Sequence, residues 1–248
     1  MGAVGGCPLS RRVKLYPAPE CRMSTVSWLP SACFTALAAH SRMAAARISR
    51  GVSSSGGTPV SVTLTPHYDK NFVYIPVAGM ELRVPGTYER MTFFGRGPEE
   101  NYQDRAHGTL VGRYATTVTD NFVPYVKSSE TGNRTGVRWI SLTDAAGAGL
   151  LAVSAPDPLE ISALHYTAAE LDRRVHPYEL NALEDTVLRL NAVQIGVGGD
   201  NSWSRIVPHE QYLPCAETYR FGFVLAPLEA GDDPMALSVR LRTRAAGE

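Results

Sequence analysis

From Thr58 onward the chain consists of short apolar runs, too brief and too regularly interrupted to be long helices. Val60-Ser-Val-Thr-Leu-Thr65 alternates apolar and polar residues with period two, which turns one face of a strand to a core and the other to water. Comparable runs follow at Phe72–Val77, Met80–Val84, Arg90–Phe94, Val137–Leu142, Gly149–Val153, Leu159–Leu164, Thr186–Leu190, Val193–Val197 and Tyr219–Leu225. Gly, Pro and Asp separate them at short intervals, which suits antiparallel strands and not alternating βα units. The pattern predicts an all-β fold, a large two-sheet antiparallel β-sandwich. One short helix is expected over Ala168–Arg174, with Thr167 as its N-cap.

The composition changes abruptly near Gly57. Up to that residue there are seven Lys or Arg and the single acid Glu20, whereas the remainder carries 17 basic and 23 acidic residues. Ser24 to Ser55 contains no acid. Residues 1–57 are therefore expected to form a disordered or transit-peptide-like extension outside the folded core. Phe34–Ile48 has helical potential but no core to anchor it. Residues 58–228 are the expected sandwich, and 229–248 a polar, frayed tail. The overall net charge of zero offers no sign of a nucleic-acid or anionic-membrane partner. Ala32–Ala39 is too short to span a bilayer, so no membrane segment is expected. Cys7, Cys21, Cys33 and Cys215 have no C-x-x-C spacing and read as reduced thiols. Asn133-Arg134-Thr135 matches a glycosylation sequon, a tripeptide common by chance.

Several separated blocks carry a resemblance. They are Phe94-Gly-Arg-Gly-Pro-Glu-Glu-Asn-Tyr-Gln-Asp-Arg105, Pro124-Tyr-Val126 with Glu130-Thr-Gly-Asn-Arg134 and Arg138-Trp139, His165–Leu171 with His176–Leu180, and Gly196-Val-Gly-Gly-Asp-Asn-Ser-Trp-Ser204. In this order and with these gaps, the region resembles the C-terminal, small-chain domain of family 2 β-galactosidases. The resemblance implies a galactose-mutarotase-like supersandwich. A W-R-A-P-T-D-N-D-like loop and the strands around it are not found, so the sandwich is expected to lack its N-terminal strands. The family's catalytic barrel is absent as well.

The chemistry follows residue by residue. A retaining glycosidase needs two carboxylates about 5–5.5 Å apart across the scissile bond. Glu99 and Glu100 are adjacent, so on extended backbone they point opposite ways, and Glu184-Asp185 has the same defect. In the family both catalytic glutamates belong to the barrel, and no catalytic residue is assigned here. The best substrate-binding candidate is Trp203, an indole on a glycine-rich loop after a strand, whose flat face suits a sugar ring. The resemblance places it at the active-site mouth as a platform for the acceptor portion of the substrate. Asp200 and Asn201 are weaker candidates, able to make the turn or to position the loop. The block Gly95–Arg105 reads as a turn tied down by Glu100, Asn101, Asp104 and Arg105 over a packed Tyr102, and Glu130, Asn133 and Arg134 as a structural polar network. An epimerase would pair a histidine with a carboxylate. His165 and His176, with Glu170 or Glu179 near, are the residues to consider, and both read as turn or packing residues. No metal-ligand spacing is visible, and no cofactor is expected on this chain.

The expected function is that of the small-chain portion of a β-galactosidase. It would bind a galactoside and complete the active-site rim for a catalytic barrel supplied by another domain or subunit. A stand-alone carbohydrate-binding or mutarotase-like module and a truncated gene product are the alternatives. The expected location is cytoplasmic, or an organelle if residues 1–57 are a transit peptide.

Overall fold

The computed structural model describes residues 34–38, 44–50, 57–66, 74–198, 209–214 and 217–245. Two antiparallel sheets make up the fold. Strands β1 (Phe34–Ala38), β4 (Val77–Val84), β7 (Arg134–Val137), β10 (Leu159–Leu164) and β11 (Thr186–Gln194) form one, in the order β1-β4-β11-β10-β7. The other contains β2 (Ala44–Arg50), β3 (Thr58–Pro66), β5 (Arg90–Gly97), β6 (Leu110–Thr117), β8 (Trp139–Thr143), β9 (Gly149–Ser154) and β12 (Tyr219–Leu228), in the order β2-β3-β12-β9-β8-β5-β6. The expected two-sheet sandwich is what the chain forms.

Period two decides which residues meet between the sheets. Met80 and Leu82 of β4, Ile161 and Ala163 of β10, and Leu188 and Leu190 of β11 face Val60, Val62, Phe93, Ile140, Leu150, Ala152, Phe223 and Leu225 in one continuous core. The outer faces differ in character. That of the seven-stranded sheet is apolar: Trp139, Leu151, Val153, Val224, Ala226 and Leu228 form a second cluster, with Leu241 of helix α2 (Pro234–Ala245) among them. That of the five-stranded sheet is polar, with Glu81, Glu160, Ser162, Arg189 and Asn191 all buried.

Several expectations need correction. Of the expected frayed tail over 229–248, residues 234–245 form α2, which packs across β8, β9 and β12. Asp233 starts this helix, its carboxylate accepting from the backbone of Met235 and Ala236 at 3.1 and 3.4 Å, and Pro234 fits the first helical position. Residues 34–38 and 44–50 fall within the supposed extension, yet they are strands, and they pair with β4 and β3. The helical potential of Phe34–Ile48 is overridden by the open sheet edges beside it. The sandwich therefore begins before Thr58, which narrows the expected loss of N-terminal strands.

Other differences are local. The single run expected over Val137–Leu142 is split, because the chain changes sheets at Arg138: β7 pairs with β10, and β8 with β5 and β9. The run Phe72–Val77 lies partly outside the described residues, and Ile75 and Pro76 belong to no strand; Ile75 N–H donates to Pro214 O at 2.9 Å. The run Thr186–Leu190 extends as β11 to Gln194, with a register shift between Asn191 and Val193, while Ile195–Val197 of the next expected run lie beyond the strand. Strand β6 was not anticipated. Helix α1 (Ala168–Arg173) is where the sequence puts it, and Thr167 Oγ1 caps it by accepting from Glu170 N–H at 3.1 Å. Among the described residues no helix is long and apolar enough to cross a membrane.

Candidate functional site at the exit of β11

Trp203, Asn201 and Asp200 lie outside the described residues, but the segment that leads to them is described as far as Gly198. Five successive backbone groups along that segment are tied to other parts of the fold. Gln194 O accepts from Gln103 Nε2 at 3.0 Å. Ile195 N–H donates to Pro76 O at 2.7 Å and Gly196 N–H to Tyr212 O at 3.2 Å. The Asp104 carboxylate takes the next two donors, Val197 N–H on Oδ1 at 3.1 Å and Gly198 N–H on Oδ2 at 2.7 Å.

The glycines explain how a carboxylate can come so close. A Cβ added at Gly196 would meet Asp104 Oδ2 at 2.4 Å, so no larger residue fits there without moving Asp104. Gly198 has φ +70°, in the left-handed region that disfavours a side chain. Successive backbone N–H groups converging on one anion are the usual response of such turns to negative charge. The motif Tyr102-Gln-Asp-Arg105 and the stretch Gly196-Val-Gly198 are thus two halves of one contact. Sequence reading treated Asp104 only as a tie within its own turn.

Beneath this segment lies the polar face of the five-stranded sheet. Gln103 Nε2 also donates to Glu160 Oε1 at 3.0 Å, and Asn133 Nδ2 donates to Glu160 Oε2 at 3.0 Å. Burial pushes the Glu160 carboxyl up to about 7, against the pull of those donors. Arg189, also buried, meets Glu130 at 2.9 Å and Glu81 at 3.8 Å. Burial raises the Glu81 carboxyl, and the Arg189 guanidinium opposes that rise. Sequence reading missed Glu160 and Arg189, which look like ordinary outward residues of alternating strands.

Of the block Gly95–Arg105, expected as a turn throughout, Gly95–Gly97 end strand β5 and Pro98–Arg105 make the turn. Glu100 accepts from Arg105 and from the Tyr125 hydroxyl, from Thr131 Oγ1 at 3.2 Å and from Gly132 N–H at 2.6 Å. Its side chain is only 7% exposed, whereas Glu99 faces solvent, so the two neighbours do point apart. Asn101 donates to Arg96 O and Glu99 O and accepts from Thr135 N–H at 2.9 Å. Tyr102 is 1% exposed and packs beneath with Arg105 over its ring. Asn133 is fully buried within these bonds, which seals the sequon from any glycan. Arg134 lies over the Phe93 ring, and burial lowers its pKa.

His165 finds a carboxylate other than those considered from the sequence, whereas His176 meets Glu179 through its backbone N–H. His165 Nε2 meets Glu89 Oε2 at 2.9 Å and Nδ1 faces Asp185 O at 3.2 Å. Glu170 instead serves Arg174 and Asn181, and Glu179 accepts from Val175 and His176 N–H. His176 stacks on Tyr178 with ring centroids 5.2 Å apart. His165 is thereby a tie between turns, and His176 a packing residue. Glu184 is exposed and Asp185 half-buried at the entry to β11.

The comparisons with known proteins agree with the motif blocks. The family model for the beta galactosidase small chain matches residues 24–225, so the family's sequence reaches well into the segment that composition alone set apart as an extension. A beta-galactosidase of Halalkalibacterium halodurans is 39% identical over 149 residues, 60% of this chain and 15% of that protein. One from Priestia megaterium is 32% identical over 192 residues, 77% of this chain and 18% of that protein. Beta-galactosidase BgaC of Bifidobacterium adolescentis is 39% identical over 171 residues, 68% and 15% respectively. A galactose mutarotase related enzyme from Lactobacillus acidophilus superposes with a TM-score of 0.35 at 7% identity, covering 82% of this chain and 70% of that one. The chain spans about 15–18% of the length of these β-galactosidases. With a family match over residues 24–225 and all four motif blocks inside it, the chain belongs to the β-galactosidase small-chain family.

Proposed function

We propose that this chain works as the small-chain portion of a β-galactosidase, binding the acceptor side of a β-galactoside at the rim of an active site whose catalytic barrel lies on another domain or subunit. The observation that carries this reading is the firmly held exit of β11, from which the sequence runs on to Asp200, Asn201 and Trp203. A loop that is to present an aromatic platform to a sugar must be fixed at its base, because a misplaced platform loses the contact. The carboxylates on this face are engaged structurally: Glu100 in its turn, Glu160 under Gln103 and Asn133, Glu130 on Arg189. The chain's part is then to bind and orient, with hydrolysis left to the barrel.

The test has two arms. The purified chain alone should not hydrolyse a chromogenic β-galactoside. Reconstituted with a matching barrel, Trp203→Ala should weaken glucose-acceptor and lactose binding by about tenfold, since losing an aromatic platform contact costs on the order of 1–2 kcal/mol. Turnover by the chain alone that disappears when one of its carboxylates is changed would overturn the reading. So would acceptor binding left intact in Trp203→Ala while thermal stability collapses.

A further inference from the structure

We infer that Asp104 is a positioning residue for acceptor recognition, fixing the backbone at Val197 and Gly198, from which the sequence runs on to Trp203, without touching the sugar itself. The inference rests on the reading of the Gly196–Trp203 loop given above, and it names the side chain on which that reading depends.

Three observations support it. Asp104 reaches across more than ninety positions of sequence to take two consecutive backbone donors, at 3.1 and 2.7 Å. The side chain beside it, Gln103, holds Gln194 O and Glu160 at 3.0 Å each, so one turn grips both the end of β11 and the segment after it. Arg105, the nearest cation in sequence, is engaged by Glu100 and lies over Tyr102, which leaves the Asp104 carboxylate to the loop backbone. A carboxylate is the right group for this place. It accepts on both oxygens, whereas an amide would turn an NH2 toward one of the two N–H donors. Glycine at position 196 is the complementary requirement, since a Cβ there would collide with Asp104 Oδ2. Gly198 is the last described residue before the segment that carries Trp203, five positions further on.

The experiment uses the whole chain, wild type and with Asp104→Asn, Asp104→Ala or Gly196→Ala. Amide hydrogen exchange at Val197 and Gly198 should accelerate about tenfold or more in each variant, as expected for losing charge-assisted bonds, while Leu188 and Leu190 of β11 keep their protection. In the barrel-reconstituted enzyme, the same variants should raise the apparent KM for glucose acceptor and lactose about tenfold, close to the effect of Trp203→Ala, since both remove one platform contact. The kcat for a galactoside with a good leaving group should stay within about twofold, because that step needs no acceptor contact. Unchanged exchange at Val197 and Gly198 would overturn the inference. So would faster exchange with acceptor KM unaltered where Trp203→Ala alters it, and in that case the rim reading itself survives. If Trp203→Ala also leaves acceptor KM unaltered, the rim reading falls, and Asp104 is left as a scaffold residue only.

Discussion

Glu160 offers the most direct check on the polar face beneath the β11 exit. It is 7% exposed on β10, and its two oxygens accept from Gln103 and Asn133 at 3.0 Å. Burial is the main cause that lifts its carboxyl from 4.5 to about 7; the two amide bonds pull the other way, and the charge of Glu130 adds to the rise. In the unfolded chain the same group ionises near 4.5. Between these values the native state holds a proton that the unfolded state has released. The stability from this group is thus complete below pH 4.5 and is lost as pH rises through about 7. At 1.36 kcal/mol per pH unit the span amounts to about 3 kcal/mol. Urea unfolding of wild type and Glu160→Gln from pH 4.5 to 8 would measure it. The stability of wild type minus that of the variant should fall by about 3 kcal/mol across the range. Taking the difference cancels Glu89, whose carboxyl is held below its usual range by the Thr119 and His165 bonds despite partial burial, and which therefore gains stability with rising pH. A flat difference, or one that rises with pH, would refute the reasoning and show that Gln103 and Asn133 are built around the ionised carboxylate.

Two further outcomes are expected. Glu100→Ala should cost about 2–4 kcal/mol in urea unfolding, because it removes the acceptor of the Tyr125 hydroxyl, Thr131 Oγ1 and the Gly132 N–H; Glu100→Gln should fall between. Leu241→Ala should cost about 2–4 kcal/mol by leaving a cavity against Trp139 and Leu151, and deleting residues 230–248 should cause association visible by light scattering, since it bares that apolar face.

The sandwich was legible in the sequence because its central strands obey one simple rule. Period-two alternation in β3, β5 and β10 needs only a core on one side, and the core is there. Where that rule weakens, the reading failed. Strand β6 is an edge strand paired only with β5, and its run Leu110-Val-Gly-Arg-Tyr-Ala-Thr-Thr117 leaves Leu110 76% exposed, so no buried face imposes a pattern. Helix α2 buries Ser238 beside Leu241, which blunts its apolar stripe among the arginines, although Asp233-Pro234 is a legible start signal. β1 and β2 lie in acid-poor, alanine-rich sequence with no strand preference of its own, and their pairing comes from β4 and β3. In the site, the turn within Gly95–Arg105 was readable from its residue types. The bond from Asp104 to Val197 and Gly198 was not, because nothing local ties positions that far apart.

That long-range bond gives the scattered motif blocks a common purpose. Gln103 and Asp104 of the first block grip the exit of β11. Glu130 and Asn133 of the second hold Arg189 of β11 and Glu160 of the neighbouring β10, so they fix the sheet from which that exit departs. The third block meets the second: His176 Nδ1 lies 3.4 Å from Val126 O, and Ser128, between the two halves of the second, donates from Oγ to Leu171 O at 2.8 Å. The fourth block begins at the exit, with Gly196–Gly198. Residues of different chemistry and distant positions therefore converge on one short stretch of backbone, and what they supply there is geometry. Among the described residues the two buried acids are both engaged, Glu160 by Gln103 and Asn133 at 3.0 Å and Glu81 by Arg189 at 3.8 Å. On the reading proposed above, a fixed starting point for one loop is what this chain lends to chemistry performed by its partner.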